Sequence, residues 1–157
     1  MGVKANFDLG KIHLDIQDFA KKVEAEIILR LQVLGEQCVN HARQLASPYW
    51  DRTGNLRSSI GWIVVANGSI VNQSAFESIQ GSKGIGTEGS KEGLDFAKEL
   101  ARTHPTGYVL IVVAGMNYAK YVETRGFDVL TSAELLAETE LPRMIKQIKG
   151  IIRKSRK

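Results

Sequence analysis

The fold is decided by the stretch DRTGNLRSSI, residues 51–60. Its first half is rich in Asp, Gly and Asn, which are typical of turns, and Gly54 permits a positive φ there. Leu56 then begins a β-branched and aromatic run that continues to residue 66, so we predict a strand over 56–66. We expect Leu56 to begin the core contact and Arg57 to point away and pair with a carboxylate or a neighbouring subunit.

Both faces of this strand are apolar. One face carries Ile60, Trp62 and Val64, and the other carries Ile63 and Val65. Such a pattern is typical of a strand that is covered on both sides. We therefore expect packing layers above and below it.

A long helix is predicted before the turn, from about Ile16 to Ala46. Its apolar residues recur at spacings of three and four: Ile16, Phe19, Val23, Ile27, Leu31, Leu34, Cys38, Ala42 and Leu45. We predict Asp15 as the N-cap and Pro48 as the residue that ends the helix. About thirty residues give a rod of roughly 45 Å, which is longer than a small core needs. We expect part of this rod to pack against another subunit.

Four further segments follow the strand. Asn67-Gly68 predicts a tight hairpin turn, after which residues 69–76 return as a second strand. Residues 77–93 contain five glycines and predict a flexible loop or insertion, and a short helix is predicted over 94–102. A strand over 107–114 is apolar on both faces, so we predict that it lies at the centre of the sheet.

The last third of the chain ends in a helix. Residues 118–124 are predicted to continue as a strand or to turn into a helix. Thr131 and Glu134 have capping-box spacing and start a helix that extends to about Ile152, bent or broken near Pro142.

Together these elements predict one α+β domain over residues 1–157. The long N-terminal helix packs on an antiparallel sheet of about four strands, with the C-terminal helix beside it. A chain of this length with 43% apolar residues is sufficient to bury a core.

Composition argues against several classes of protein. No window of eighteen apolar residues predicts a membrane span, and residues 1–10 lack the apolar run of a secretory signal. The single cysteine, Cys38, excludes an internal disulfide and a cysteine-based zinc site. Because it lies on the apolar stripe, we interpret it as a buried packing residue of a protein made in a reducing cytoplasm.

The net charge of +4 is distributed unevenly. Residues 1–142 sum to −3, whereas residues 143–157 carry seven cations and no acid. These cations are Arg143, Lys146, Lys149, Arg153, Lys154, Arg156 and Lys157. They form either a solvated helix end that complements the helix dipole or a surface that contacts nucleic acid or an acidic protein.

No pattern predicts catalysis. The segment GIGTEG, residues 84–89, matches G-x-G-x-x-G, but no strand precedes it directly and no βαβ unit surrounds it. The three histidines, His13, His41 and His104, lack carboxylates at metal-ligand spacing. We therefore predict that the protein is not an enzyme and binds no cofactor or metal.

A second informative stretch is NYAKYVETRG, residues 117–126. Tyr118 and Tyr121 supply apolar rings with polar tips, which suit the edge of a core or an interface. Ala119 permits close packing, and Glu123 is a candidate partner for one of the arginines of the first stretch.

In this order, after one long helix, the two stretches resemble the head–tail joining, or tail-completion, proteins of long-tailed phages and prophages. The residues that carry the resemblance are Thr53, Gly54, Leu56 and Arg57 in the first motif, and Tyr118, Ala119, Tyr121, Val122 and Glu123 in the second. The resemblance spans about residues 15–150. Two departures are Thr124-Arg125 before Gly126, and segment 77–102, which looks like an insertion between central strands.

The resemblance implies a non-enzymatic ring subunit, usually six-fold, in the neck between head and tail. The nine motif residues are then interface candidates. The implied partners are other copies of the chain, neighbouring head-connector and tail-terminator or tail-tube proteins, and DNA in the channel, but no membrane. The implied location is the bacterial host's cytoplasm and then the virion. A small nucleic-acid-binding protein that uses the basic end is the alternative.

Overall fold

The computed structural model describes residues 8–45 and 51–154. The helices are α1 (Leu9–Leu45), α2 (Asn55–Ser58), α3 (Thr87–Ala101), α4 (Ala119–Thr124) and α5 (Thr131–Lys154). The strands are β1 (Ile60–Ala66), β2 (Ser69–Gln73) and β3 (Tyr108–Ala114). The predicted α+β class, with a long N-terminal helix and a C-terminal helix, is confirmed. The sheet has three strands in the described part of the chain rather than about four.

β1 is the central strand of an antiparallel sheet with the order β2-β1-β3. All of its residues are buried, which confirms that both faces are covered. The predicted hairpin turn is also confirmed, since Asn67 and Gly68 have φ values of 49° and 82°. Two strand bounds are corrected: β1 begins at Ile60 rather than Leu56, and β2 ends at Gln73 rather than Phe76.

β3 lies at an edge of the sheet, so its predicted central position is wrong. Its apolarity has another cause, because helices cover both of its faces. Leu110 and Val112 pack with the α1 side of the core, whereas Ile111 and Val113 pack with α3.

α1 begins earlier than predicted. The side chain of Asp8 caps it, since its Oδ1 accepts hydrogen bonds from the backbone N–H of Gly10 at 3.0 Å and of Lys11 at 3.1 Å. Asp15, the predicted N-cap, is therefore inside the helix. Pro48, the predicted stop, lies outside the described residues. The 37 residues of α1 extend over about 55 Å.

One face of the sheet packs against α1 and α5. The two helices run antiparallel, because Cys38 Sγ donates to the carbonyl oxygen of Ala133 at 3.5 Å while Arg30 donates to Gln147 at 2.6 Å. Cys38 is 1% exposed, and burial raises the pKa of its thiol. Its predicted packing role is thus confirmed. The buried residues of this layer include Leu31, Leu34, Val39, Ala42, Leu56, Ile60, Trp62, Val64, Ala119, Val129 and Ala133.

The other face of the sheet packs against α3. Its core consists of Ile63, Val65, Ala97, Ala101, Ile111 and Val113. The predictions of a loop up to residue 93 and a helix from 94 are therefore wrong, since α3 begins at Thr87. The glycines of α3 permit close backbone contact: a Cβ at Gly93 would lie 2.4 Å from the carbonyl oxygen of Ser59.

Of the two alternatives for residues 118–124, the structure has the helix, α4. α5 begins at Thr131 as predicted and runs to Lys154 without a break at Pro142. The expected capping box is replaced by Glu123, which accepts hydrogen bonds from the backbone N–H of Leu130 and Thr131. None of the described helices has the length and apolar character needed to cross a bilayer.

Candidate functional site

A buried carboxylate organises the first motif. Asp51 is 4% exposed and accepts hydrogen bonds from the backbone N–H of Leu56 at 3.2 Å and of Arg57 at 3.0 Å. It also accepts one from Arg57 Nε at 3.1 Å. These contacts cap α2 and fix the Arg57 side chain, which also donates to the carbonyl oxygen of Gln80 at 2.9 Å. The expected carboxylate partner of Arg57 is thus Asp51, and not Glu123.

The other residues of the first motif form a tight turn. Gly54 has φ 77°, and a Cβ at this position would lie 2.0 Å from the carbonyl oxygen of Ile79. Only glycine satisfies both constraints. Leu56 is 5% exposed and belongs to the same core as Ala119, whereas Thr53 is exposed. The residues predicted to start β1 instead form the short helix α2, because the Asp51 cap stabilises a helical turn there.

The Gly-rich segment closes over this turn. The backbone N–H of Ile79 donates to Ser58 Oγ at 2.7 Å, and Asn55 Nδ2 donates to Glu88 Oε2 at 3.0 Å. Asn55 Oδ1 in turn accepts the backbone N–H of Gly89 at 3.2 Å. This amide therefore occupies the first turn of α3, where a phosphate would bind in a dinucleotide site. Two of the glycines in residues 84–89 serve packing, since a Cβ would lie 2.1 Å from Ser58 Oγ at Gly86 and 2.0 Å from the carbonyl oxygen of Asn55 at Gly89.

The two motifs meet in the core, where Leu56 and Ala119 belong to one buried cluster. Burial raises the pKa of the Tyr118 phenol, and the carboxylates of Asp51 and Glu88 raise it further. The carbonyl of Ser59, in the first stretch, accepts the backbone N–H of Gly115 at 3.1 Å, two residues before the second stretch begins. Tyr118 remains 37% exposed at this junction.

The other residues of the second motif make three separate sets of contacts. Ala119 is buried and Val122 packs beside it in the α1 side of the core. Tyr121 is 58% exposed and lies under the guanidinium of Arg125, which is 4.8 Å from the ring centroid and donates to the tyrosine hydroxyl. Glu123 caps α5, so its predicted pairing with an arginine of the first motif is wrong.

The surroundings of Glu123 shift the pKa of its carboxyl group. Burial acts to raise the pKa of its carboxyl group. The hydrogen bonds donated by Leu130, Thr131 and Val129 outweigh burial and leave the pKa below its ordinary value. The Thr131 hydroxyl contributes one of these bonds at 2.8 Å.

A second surface is the α1 overhang, which we define as residues 8–18. Every residue of this segment is exposed. It presents four large apolar side chains: Leu9 is 77% exposed, Ile12 42%, Leu14 60% and Ile16 61%. Leu9, Ile12 and Ile16 continue the stripe whose later members form the core. The predicted helix began too late, although the spacing of Leu9, Ile12 and Ile16 already indicates an earlier start.

The third surface is the basic end. Arg143, Lys146, Lys149, Arg153 and Lys154 are exposed on α5, whereas Arg156 and Lys157 lie outside the described residues. Arg143 donates to Glu140 at 2.6 Å.

Within residues 8–45 and 51–154, no three His, Cys, Asp or Glu side chains are grouped to hold a metal ion. Comparison with family models, curated proteins and solved structures finds no match to this chain.

Proposed function

We propose that this chain is a structural subunit of the head–tail connector of a long-tailed phage or prophage. In this proposal it acts in tail completion, as a subunit of a ring of about six copies, between the head connector and the tail-terminator or tail-tube proteins. DNA passes through the channel of that ring. The subunit is made in the host cytoplasm and becomes part of the virion neck.

The observation that carries the proposal is the α1 overhang. Leu9, Ile12 and Ile16 extend the stripe that packs in the core, yet residues 8–18 have only exposed positions. Monomeric proteins rarely expose a contiguous apolar stripe, whereas a subunit of an assembly buries it against a neighbour.

A ring requires two different patches on each subunit, because its interfaces are heterologous. The overhang supplies one patch. Tyr118 and Tyr121, which are three residues apart and both exposed, supply the second. The order of the two sequence motifs supports the same class of protein.

The roles of the motif residues fit a structural protein. Gly54, Leu56 and Arg57 hold a turn, and Glu123 caps a helix. The charged groups of Arg57 and Glu123 both have protein partners, so the motifs specify an architecture rather than a reaction.

The proposal is tested by the mass of the purified protein in solution, measured by light scattering over a wide concentration range. We expect a concentration-dependent rise toward a closed oligomer. The variant Leu9→Ser/Ile12→Ser/Ile16→Ser should remain monomeric. The matched control is Ile85→Ser/Phe96→Ser, which changes exposed apolar residues in and beside α3 and should assemble normally.

A monomer at every concentration, with no change in solubility for the overhang variant, would contradict the role of the overhang. Equal loss of assembly in the control would show that general surface apolarity, and not this stripe, drives association.

A further inference from the structure

The second half of α5 has two chemically different faces. At 100° per residue, Arg143, Lys146, Lys149, Arg153 and Lys154 fall within about half of the helix circumference. The opposite half carries Met144, Ile148 and Ile152, which are partly buried. Because the apolar half packs toward α1, the packing of the domain turns the basic half toward solvent.

The cations of this face are largely unneutralised. Arg143 is paired with Glu140, although its side chain remains 68% exposed. Lys146, Lys149, Arg153 and Lys154 form no ion pair within the described parts of the chain. Residues 143–157 contain no acid.

Helix-dipole complementarity explains only part of this pattern. Its effect is confined to about the last turn of a helix. Arg153 and Lys154 lie in the last turn of α5, whereas Arg143, Lys146 and Lys149 precede it. The helix dipole therefore does not account for the cations before the last turn.

We propose that the basic face of α5 binds the phosphate backbone of double-stranded DNA. The face extends over about 16 Å from Arg143 to Lys154, along which a duplex presents about one negative charge per 1.7 Å of axis. Phosphate contacts of this kind position a protein on a duplex without reading its sequence.

The composition of the face favours DNA over an acidic protein surface. The core of a protein–protein interface is enriched in aromatic residues and depleted in Lys. Residues 143–154 contain no aromatic residue, and three of the five cations are Lys. The binding is therefore independent of base sequence and sensitive to salt. It also does not depend on the chain forming a ring.

The test uses the full chain and a labelled 30-base-pair duplex of arbitrary sequence, with affinity measured by fluorescence anisotropy. With about four phosphates neutralised, the affinity of the unchanged protein should fall about 100-fold between 50 and 200 mM salt. The variant Lys146→Gln/Lys149→Gln/Arg153→Gln/Lys154→Gln should lose at least about tenfold in affinity at 50 mM salt and most of the salt dependence.

The matched control is Lys83→Gln/Lys91→Gln/Lys98→Gln/Arg102→Gln. It removes the same charge from exposed residues in and near α3, which packs on the opposite face of the sheet. It should bind within about threefold of the unchanged protein. A charge-conserving variant, Lys146→Arg/Lys149→Arg/Lys154→Arg, should also keep its affinity and guards against an effect on folding.

Three outcomes would overturn the proposal. Equal losses in the two glutamine variants would mean that net charge alone attracts DNA. Unchanged binding by the α5 variant would place the contact elsewhere. Binding of the unchanged protein to polyglutamate but not to the duplex would assign the face to an acidic protein.

Discussion

Asp51 binds Arg57 twice, since its carboxylate accepts both the backbone N–H at 3.0 Å and the side-chain Nε at 3.1 Å. A third bond to the backbone N–H of Leu56 completes the cap of α2. One buried side chain therefore fixes the turn, the helix start and the direction of the arginine.

The variant Asp51→Ala should lose about 3 kcal/mol of unfolding free energy, because it leaves two backbone donors without their acceptor and removes the carboxylate from a largely buried guanidinium. Urea denaturation followed by circular dichroism measures this loss. The control Asp95→Ala removes an exposed carboxylate of α3 and should change stability by less than about 0.5 kcal/mol. Similar losses in both variants would contradict a special role for Asp51.

Substitution of alanine for two helical glycines should change the stability of the protein in opposite directions. Gly89→Ala should destabilise the protein by about 2 kcal/mol, since its Cβ would lie 2.0 Å from the carbonyl oxygen of Asn55. Gly150→Ala should stabilise it by about 0.5–1 kcal/mol, because a Cβ there meets nothing within 4 Å and alanine favours the helix. Thermal and urea unfolding measure both changes. A stabilising Gly89→Ala would contradict the close contact of α3 with α2.

Glu123→Gln should destabilise the protein by about 1 kcal/mol near neutral pH, because the charged cap of α5 is lost. Burial alone would raise the pKa of Glu123, but the hydrogen bonds lower it below the ordinary 4.5. The stabilisation is therefore present above about pH 4.5 and is lost as the pH falls through the lowered folded-state pKa. Urea unfolding at pH 6 and pH 3 should show the difference between the two proteins shrinking at the lower pH. A difference that is independent of pH would exclude the carboxylate charge as its cause.

Tyr118→Ala/Tyr121→Ala should reduce assembly while it leaves the fold of the monomer intact, since both rings are substantially exposed. Light scattering measures assembly, and circular dichroism verifies the fold. Tyr108→Ala is a suitable control because Tyr108 has the same 37% exposure as Tyr118 but lies on β3. Unchanged assembly of the double variant would show that the tyrosines are not the second patch.

Local patterns in the sequence predicted much of the fold. The stripe of α1, the Asn67-Gly68 turn and the two apolar faces of β1 each arise from spacing within one segment, and the structure confirms all three. The pairing of Arg57 with a carboxylate followed from the residue type. Its partner did not, because Asp51 approaches it only through the shape of the turn.

Non-local packing caused the errors. Gly89 and Gly93 lower helix propensity, yet α3 contains both because it packs against the backbone of Asn55 and Ser59. β3 is apolar on both faces because helices cover both faces. This pattern does not indicate how many strands lie next to it. The partner of Glu123 depends on how α4 meets α5, which spacing within either segment does not reveal.

Because α1 is unbroken, its start lies far from the core of the domain and is joined to it by continuous helix. Leu31 is the first buried residue of the helix, so about 35 Å of continuous helix precede it. A partner that binds the start of this helix is connected to the core through a rigid helix and not through a flexible linker. A sideways force applied there is transmitted to the packing of Cys38 and Trp62 without a flexible joint between them.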